Sequence, residues 1–380
     1  MTMEKVKKAG ELCFWIALFT EILLMLIDKS AYINPYEGIL FRLTFALFCI
    51  KIITTKYSKT ELICIAVVGG IAAISYFINT RDEAVRAVAL VAACKDIDLK
   101  KMLKFIFVFT SVGVAVIFLL SVTGIYGDIS VTADFGRGPT PAGKVETRYC
   151  FGMGHPNAFQ TMIFMVSMLF VYIYIDSIKL YNIVIVALIN IASYLFTDSN
   201  TALLVMIAFI FGVLLLKYCR VLRESKILYI LSGILVVFLT IFSIYGSHVG
   251  RDTPVMYWID RALNGRFEYS NIFEMARVEN WTLFALPDNV EFFDQGFIRL
   301  FYWYGIIPAI VFLLGIIYLI WISYKKKDYV LLVFIVANAV FMIMEAHIIS
   351  VYLLRNYLLI FMGYYWNDFL ADSDKSKVHV

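Results

Sequence analysis

The sequence predicts an all-α, polytopic integral membrane protein with about twelve transmembrane helices and two long extracytoplasmic loops, and three observations carry that prediction. Of 380 residues, 62% are hydrophobic and 16% charged, with a mean hydropathy of +0.82. That is more apolar surface than a water-soluble fold can bury, so the bilayer is the solvent. The apolar runs are long and continuous, not alternating. Because unpaired backbone polar groups are too costly in hydrocarbon, only helices and closed barrels span it, and continuous runs select helices. Finally, lysines recur at every second gap between runs, as the positive-inside rule requires.

The predicted spans lie at 11–28, 37–55, 61–79, 83–96, 102–122, 155–175, 179–197, 200–217, 227–245, 297–322, 329–346 and 348–366. The first run lacks a small-residue cleavage site, and Asp28, Lys29 and Ser30 follow it directly, so it reads as a retained span. With both termini cytoplasmic, Lys5, Lys7, Lys8, Lys51, Lys56, Lys59, Lys95, Lys100, Lys101 and Lys104 all face inward. So do Lys217, Arg220, Arg223, Lys226, Lys325, Lys326, Lys327, Lys375 and Lys377. An odd number of spans between the loops would break this agreement. The chain reads as one membrane domain over 1–380, with outer loops at 123–154 and 246–296, the second holding a short amphipathic helix. Gly69-Gly70 reads as a point of close helix packing. Of six cysteines only Cys150 falls in an outer loop, so no structural disulfide is expected.

This topology separates arginine from lysine. The inner face takes eighteen of twenty lysines but only two of thirteen arginines. Arg81, Arg137, Arg148, Arg251, Arg261, Arg266, Arg277 and Arg299 fall in or beside the outer loops, and Arg42, Arg86 and Arg355 lie in spans near their outer ends. A guanidinium binds phosphate oxygens bidentately and stays charged when partly desolvated, so an outer arginine set suits an anionic, phosphate-bearing ligand. Two structural readings stand beside this one: snorkelling toward lipid headgroups, and pairing of the three intramembrane arginines with the acids Glu21 and Glu345.

The first loop ends in RYCFGMGHPNAFQ, Arg148 to Gln160, where glycines flank a His155-Pro156-Asn157 turn that opens into a span. Pro156 suits the first helical position, and the free amides after it favour a negative group. Phe196 to Leu204, FTDSNTALL, makes a tight outer turn through Asn200. The second loop carries ALNGRFEYSNIFEMARVENW, Ala262 to Trp281, with Arg266 after a glycine, and then DQGFIRLFYWYGIIP, Asp294 to Pro308. Together these segments resemble the Wzy-type polysaccharide polymerases of capsule and O-antigen assembly and the related O-antigen ligases. The resemblance covers most of the chain from Arg148 onward. Two positions depart from the family pattern: Asn200 stands where an arginine is usual, and Asp294 where the ligases have histidine.

The resemblance implies a membrane glycosyltransferase that joins lipid-linked oligosaccharide repeat units on the outer face of a bacterial plasma membrane. A growing glycan would pass from its polyprenyl-diphosphate carrier to the terminal sugar of another unit. Arg148 and Arg266 lead the candidate diphosphate ligands, with Arg261, Arg299, Arg355, Arg42 and Arg86, because preorganised cations stabilise charge that develops on a leaving diphosphate. Asp294 and His155 compete as the base that takes the acceptor proton. Tyr257, Trp258, Trp281, Phe292 and Phe293 either stack on sugars or seat the loop at the interface. The short, charged fourth span leaves room for a carrier tail to enter sideways. No cofactor, metal set, nucleotide fingerprint or nucleic-acid partner is expected; the implied partners are membrane lipids and the flippase and chain-length regulator of the same pathway. A ligase using another acceptor and a flippase or transporter remain the alternatives, although paired discontinuous spans, a transporter signature, are not visible.

Overall fold

The computed structural model describes residues 3–135, 145–275 and 277–377. The chain runs as α1 (Met3–Lys29), α2 (Glu37–Ile53), α3 (Lys59–Asn79), α4 (Glu83–Ala93) and α5 (Leu99–Val122), followed by an antiparallel pair, β1 (Ser130–Asp134) and β2 (Val145–Tyr149). Then come α6 (Pro156–Tyr174), α7 (Leu180–Thr197), α8 (Asn200–Tyr218), the short α9 (Arg220–Glu224), α10 (Lys226–Val249), α11 (Pro254–Ala262) and α12 (Arg266–Ile272). The last are α13 (Gly296–Tyr304), α14 (Ile306–Lys326), α15 (Tyr329–Phe341) and α16 (Leu358–Lys377). Arg137 and His379 lie outside the described residues.

Among the described residues, eight helices are long and apolar enough to cross a membrane: α1, α3, α5, α6, α7, α8, α10 and α14. The chain is a multi-pass, mostly helical membrane protein. The four other predicted spans correspond to shorter or interrupted helices. Helices α2, α4 and α15 have 17, 11 and 13 residues, and the predicted 348–366 span begins as a helix only at Leu358. The first loop is not wholly irregular, since residues 130–134 and 145–149 pair in register, Val131 opposite Arg148. A short ribbon of polar and β-branched residues carries no apolar run, which is why hydropathy misses it.

Two breaks in the helical pattern shape the end of the bundle that carries both loops. The first splits the predicted 297–322 span at Gly305, whose φ is +89°. The freed backbone groups are taken up by the loop itself: Ile306 and Ile307 donate to the Thr282 and Leu283 carbonyls at 3.1 and 3.0 Å, and Ala285 donates to the Tyr304 carbonyl at 3.2 Å. The second break runs from Met342 to Tyr357. Irregular backbone survives at membrane depth only inside protein with its polar groups satisfied. Here Gly296 N–H donates to the Met342 carbonyl at 2.8 Å, Arg299 to Ile349 at 3.3 Å and Arg86 to Val351 at 2.7 Å. The expectation for Gly69-Gly70 is not met: a Cβ at Gly69 would meet only Val88, at 3.9 Å, and at Gly70 nothing within 4 Å.

A Cβ on Gly305 would lie 2.5 Å from the Phe284 Cα, a backbone atom that cannot step aside. Gly305→Ala therefore combines an unfavourable φ with a backbone clash and should cost about 2 kcal/mol or more. Thermal unfolding in detergent should show a lowered apparent midpoint for this variant, and none for Gly70→Ala.

Candidate functional site

The second loop, the start of α6, the end of α1 and the second break line a charged cavity of ≈ 580 Å³. Four cations line it, Lys29, Arg266, Arg299 and Arg355, against two carboxylates, Asp294 and Glu345, with His155 and His347 beside them. Asn157, Tyr269, Phe292 and Phe293 complete the part that bears on chemistry.

Arg266 owes its position to a tight turn. Asn264 and Gly265 both take left-handed backbone angles, φ +57° and +75°, which lets α12 start directly after α11. Asp260, fully buried, accepts from Phe267 N–H at 2.7 Å and Glu268 N–H at 3.2 Å, and from Arg251 Nε at 2.7 Å. The carboxylate thereby satisfies free amides in the first turn of α12. Phe267 pins the same turn from below: it is fully buried against Gly246, where an added Cβ would come within 2.5 Å of its ring. Arg266 then reaches Asp294 through Nη1, and its Nη2 lies 3.6 Å from Glu345 Oε1.

The other cations come from the break regions. Arg299, on α13, is buried under Phe292, 4.0 Å from its ring centroid, and donates to the Phe293 and Ile349 carbonyls. Arg355 pairs with Asp28 at the end of α1. The Nε groups of Arg299 and Arg355 are both buried without a hydrogen-bond partner. A buried unpaired donor is costly, and a site that receives an anionic ligand is one place where the cost is recovered.

The start of α6 contributes through His155 and Asn157. His155 caps α6, its Nδ1 accepting from Asn157 N–H at 3.2 Å, which assigns the imidazole proton to Nε2. The Asn157 side chain donates to Glu345 Oε1 at 3.1 Å. Burial holds the His155 imidazole below its ordinary range, outweighing the opposing pull of Asp294, while Arg148, Arg266 and Lys29 add to the depression.

The structure thus brings Arg266, Arg299, Arg355, Asp294, His155 and Asn157 into one cavity and leaves the remaining predicted residues outside its lining. Arg42, Arg261 and Asn200 are exposed elsewhere; Arg261 sits 5.9 Å from the Trp258 ring. Arg86 is buried in an ionic network of its own, 3.7 Å from Glu21 and 2.9 Å from Asp82, with its guanidinium 3.9 Å from the Phe41 ring centroid. Pairing of an intramembrane arginine with Glu21 is therefore the arrangement present, and Arg86 lies outside the cavity lining. Arg148 is buried too, donating to the Thr197 carbonyl at 2.7 Å and covered by Phe135 at 4.6 Å, so it joins β2 to the end of α7. Of the five aromatics singled out in the sequence, Trp281 stacks on Phe301 at 4.7 Å and packs the loop, Tyr257 and Trp258 are exposed, and Phe292 and Phe293 line the cavity together with Tyr269.

Sequence reasoning passed over four lining residues as parts of the site, Tyr269 in the amphipathic helix among them. Glu345 was visible as an acid in an apolar run but reads there as a partner for arginine. Lys29 was visible only as an exception to the inward placement of lysine. His347 carries no local signal. Among the described residues no group of three metal-ligating side chains forms. No family model, curated protein or solved structure matches the chain.

Arg86→Ala would leave Glu21 buried and uncompensated, costing about 3 kcal/mol or more, whereas Arg86→Met combined with Glu21→Gln should restore most of that stability; unfolding midpoints of the two variants test this. Protonating His155 removes the acceptor for Asn157 N–H. With a folded pKa depressed below the unfolded value of about 6.5, the cap's stabilisation is intact above that pH and is lost as pH falls through the lower folded value. Melting of wild-type protein should weaken from neutral pH into that acid range, and His155→Asn, which keeps a side-chain oxygen cap, should flatten the fall.

Proposed function

We propose that the protein polymerises polyprenyl-diphosphate-linked oligosaccharide repeat units on the outer face of a bacterial plasma membrane, with the chain crossing twelve times and both termini in the cytoplasm. The observation that carries this reading is the cavity where the second loop meets the start of α6, the end of α1 and the second break, with four cations against two carboxylates and two buried guanidine N–H groups unpartnered. An excess of preorganised donors in a largely desolvated cavity suits a diphosphate whose bridging bond to sugar is breaking. The orientation is supported by the alternation of helix ends: the loops gather at one end and the clustered lysines lie toward the other.

In this reading Arg266, Arg299 and Arg355, joined by Lys29, hold the diphosphate. The sugar carbon to phosphate-oxygen bond breaks, its electron pair goes to the diphosphate, and an acceptor hydroxyl oxygen forms the new bond to the sugar. The acceptor proton goes to a carboxylate. Asp294 is the better candidate base than His155, whose Nδ1 is occupied as a helix cap and whose Nε2 carries the proton. Arg266 couples the two roles. Without ligand its Nη1 pairs with Asp294 and its Nη2 lies 3.6 Å from Glu345, so the Asp294 carboxylate is occupied. Transfer of its fork to phosphate uncovers the Asp294 carboxylate, which then lies open to the acceptor hydroxyl when the donor is bound. His155 then donates a hydrogen bond, and Phe292 and Phe293 offer faces to a sugar ring.

Arg266→Lys keeps charge but loses the bidentate fork, and should lower polymer formation by about a hundredfold at matched protein level. Single repeat units should accumulate on the outward-facing carrier. Wild-type polymer from that variant would defeat the diphosphate-clamp role, and inward-facing units would point to a transporter. Transfer of finished glycan to a different acceptor lipid, with no lengthening, would identify a ligase.

A further inference from the structure

A second cavity, ≈ 320 Å³, lies between α3, α4, α14 and α16, and its walls are largely aliphatic and aromatic, with Val68 and Ala72 of α3, Ala87 of α4 and Phe312 of α14 among them. One carboxylate interrupts this lining. Glu83, in the first turn of α4, is only 6% exposed. Its Oε1 lies 3.7 Å from Arg81 Nη1, and its Oε2 is buried with no hydrogen-bond partner. Arg81 is held elsewhere, since its Nη2 donates to the Asn289 carbonyl at 3.0 Å and its guanidinium lies 4.2 Å from the Trp303 ring centroid. The start of a helix and one arginine account for an acid at this position. They leave half of its carboxylate facing hydrocarbon without a donor, which is costly unless a ligand supplies one.

We propose that this cavity binds a lipophilic amine, with the ammonium on Glu83 Oε2 and a compact apolar body between α3, α4 and α14. Charge is the first argument. Around the start of α4 two cations, Arg81 and Arg86, face three carboxylates, Glu21, Asp82 and Glu83, so the set is one positive charge short. An ammonium restores the balance and brings the N–H that Oε2 lacks, whereas a carboxylate or phosphate head would add to the excess. The second argument is selectivity. Lipid tails are as apolar as these walls, so burial alone gives no preference over the bilayer, and the one polar contact decides what is held. Tyr304, Phe312 and Tyr318 add aromatic rings to the lining, surfaces that a cation favours over an alcohol or an acid. Access and size complete the case. Val68, Ala84, Val88 and Val311 are only half-buried, so the cavity is reached from the hydrocarbon and needs no aqueous path. From Pro308 to Tyr318 it follows α14 for about 15 Å, which sets the length of the body it takes. The site stands apart from the function proposed above, because the two cavities share no lining residue.

The test uses full-length protein in phosphatidylcholine nanodiscs at neutral pH, so that no anionic lipid draws cations to the membrane. The probe is adamantylmethylamine carrying a diazirine on the cage, with mapping of the labelled peptides. Label is expected on 59–93 and 306–326. Unlabelled amine should displace it at about tenfold lower concentration than adamantylmethanol, with adamantanecarboxylic acid weaker still. Glu83→Gln should abolish that order and leave amine and alcohol equal. If that variant fails to fold, Ala87→Phe, which fills the cavity, should cut labelling by about tenfold. Equal displacement by all three competitors in the wild type, an order that survives Glu83→Gln, or labelling unchanged by Ala87→Phe would overturn the proposal. So would label confined to the lipid-facing sides of α7 and α10, which would mark partition into the bilayer, or label around Asp294 and Glu345, which would place the amine in the charged cavity instead.

Discussion

The contact on which the rest depends is the guanidinium of Arg266 held between Asp294 and Glu345. Its three members come from the start of α12, the residue two before α13 and the break after α15, and Glu345 in turn takes Asn157 from the start of α6. Four stretches far apart in sequence are thereby fixed around one charge. Remote segments lose conformational freedom to make such a contact, and the supporting structure shows where that cost is met: Asp260 and Phe267 hold α12 before Arg266 reaches out, and Gly296 N–H anchors α13 to the Met342 carbonyl.

Backbone satisfaction is the second constraint, and it links fold to site. The helices break at Gly305 and again over 342–357, and each break frees carbonyls and amides that hydrocarbon does not tolerate. Loop backbone answers the first. Arginine side chains answer the second, with Arg86 and Arg299 each donating to a carbonyl of the irregular stretch. The arginines therefore serve in two ways. Some pin the interrupted backbone, and those that also line the cavity retain donors for a ligand. A guanidinium spreads five donors over a rigid planar fork, so one edge can bond a carbonyl while the other stays aimed at a phosphate, which offers a physical reason for arginine at this end of the bundle.

Much of this was legible in the sequence, and the parts that were not share a cause. The membrane class and the long helices follow from continuous apolar runs. His155 at a helix start, Arg266 after a glycine and Asp294 before a helix were readable because local chemistry marks them: Pro at a first helical position, Gly at a left-handed turn, an acid next to an apolar run. The break at Gly305 was not, because a glycine in an apolar run looks the same whether the helix continues or turns. Nor could local pattern divide the arginines. Arg86 and Arg355 have the same sequence setting, each a cation in an apolar run, and Arg86 faces Glu21 while Arg355 faces the cavity and Asp28. That distinction lies in tertiary partners, as does the recruitment of Lys29 and Glu345.

The central claim is that this cavity receives a lipid-borne diphosphate. The most direct measurement is an electron cryo-microscopy map of the full chain in nanodiscs with an isoprenoid diphosphate bound. The account predicts density for both phosphates within hydrogen-bond distance of Arg266 and of Arg299 or Arg355, with the Arg266 to Asp294 pair opened. Phosphate density anywhere else on the protein, or in the cavity with Arg266 still closed on Asp294, would contradict it.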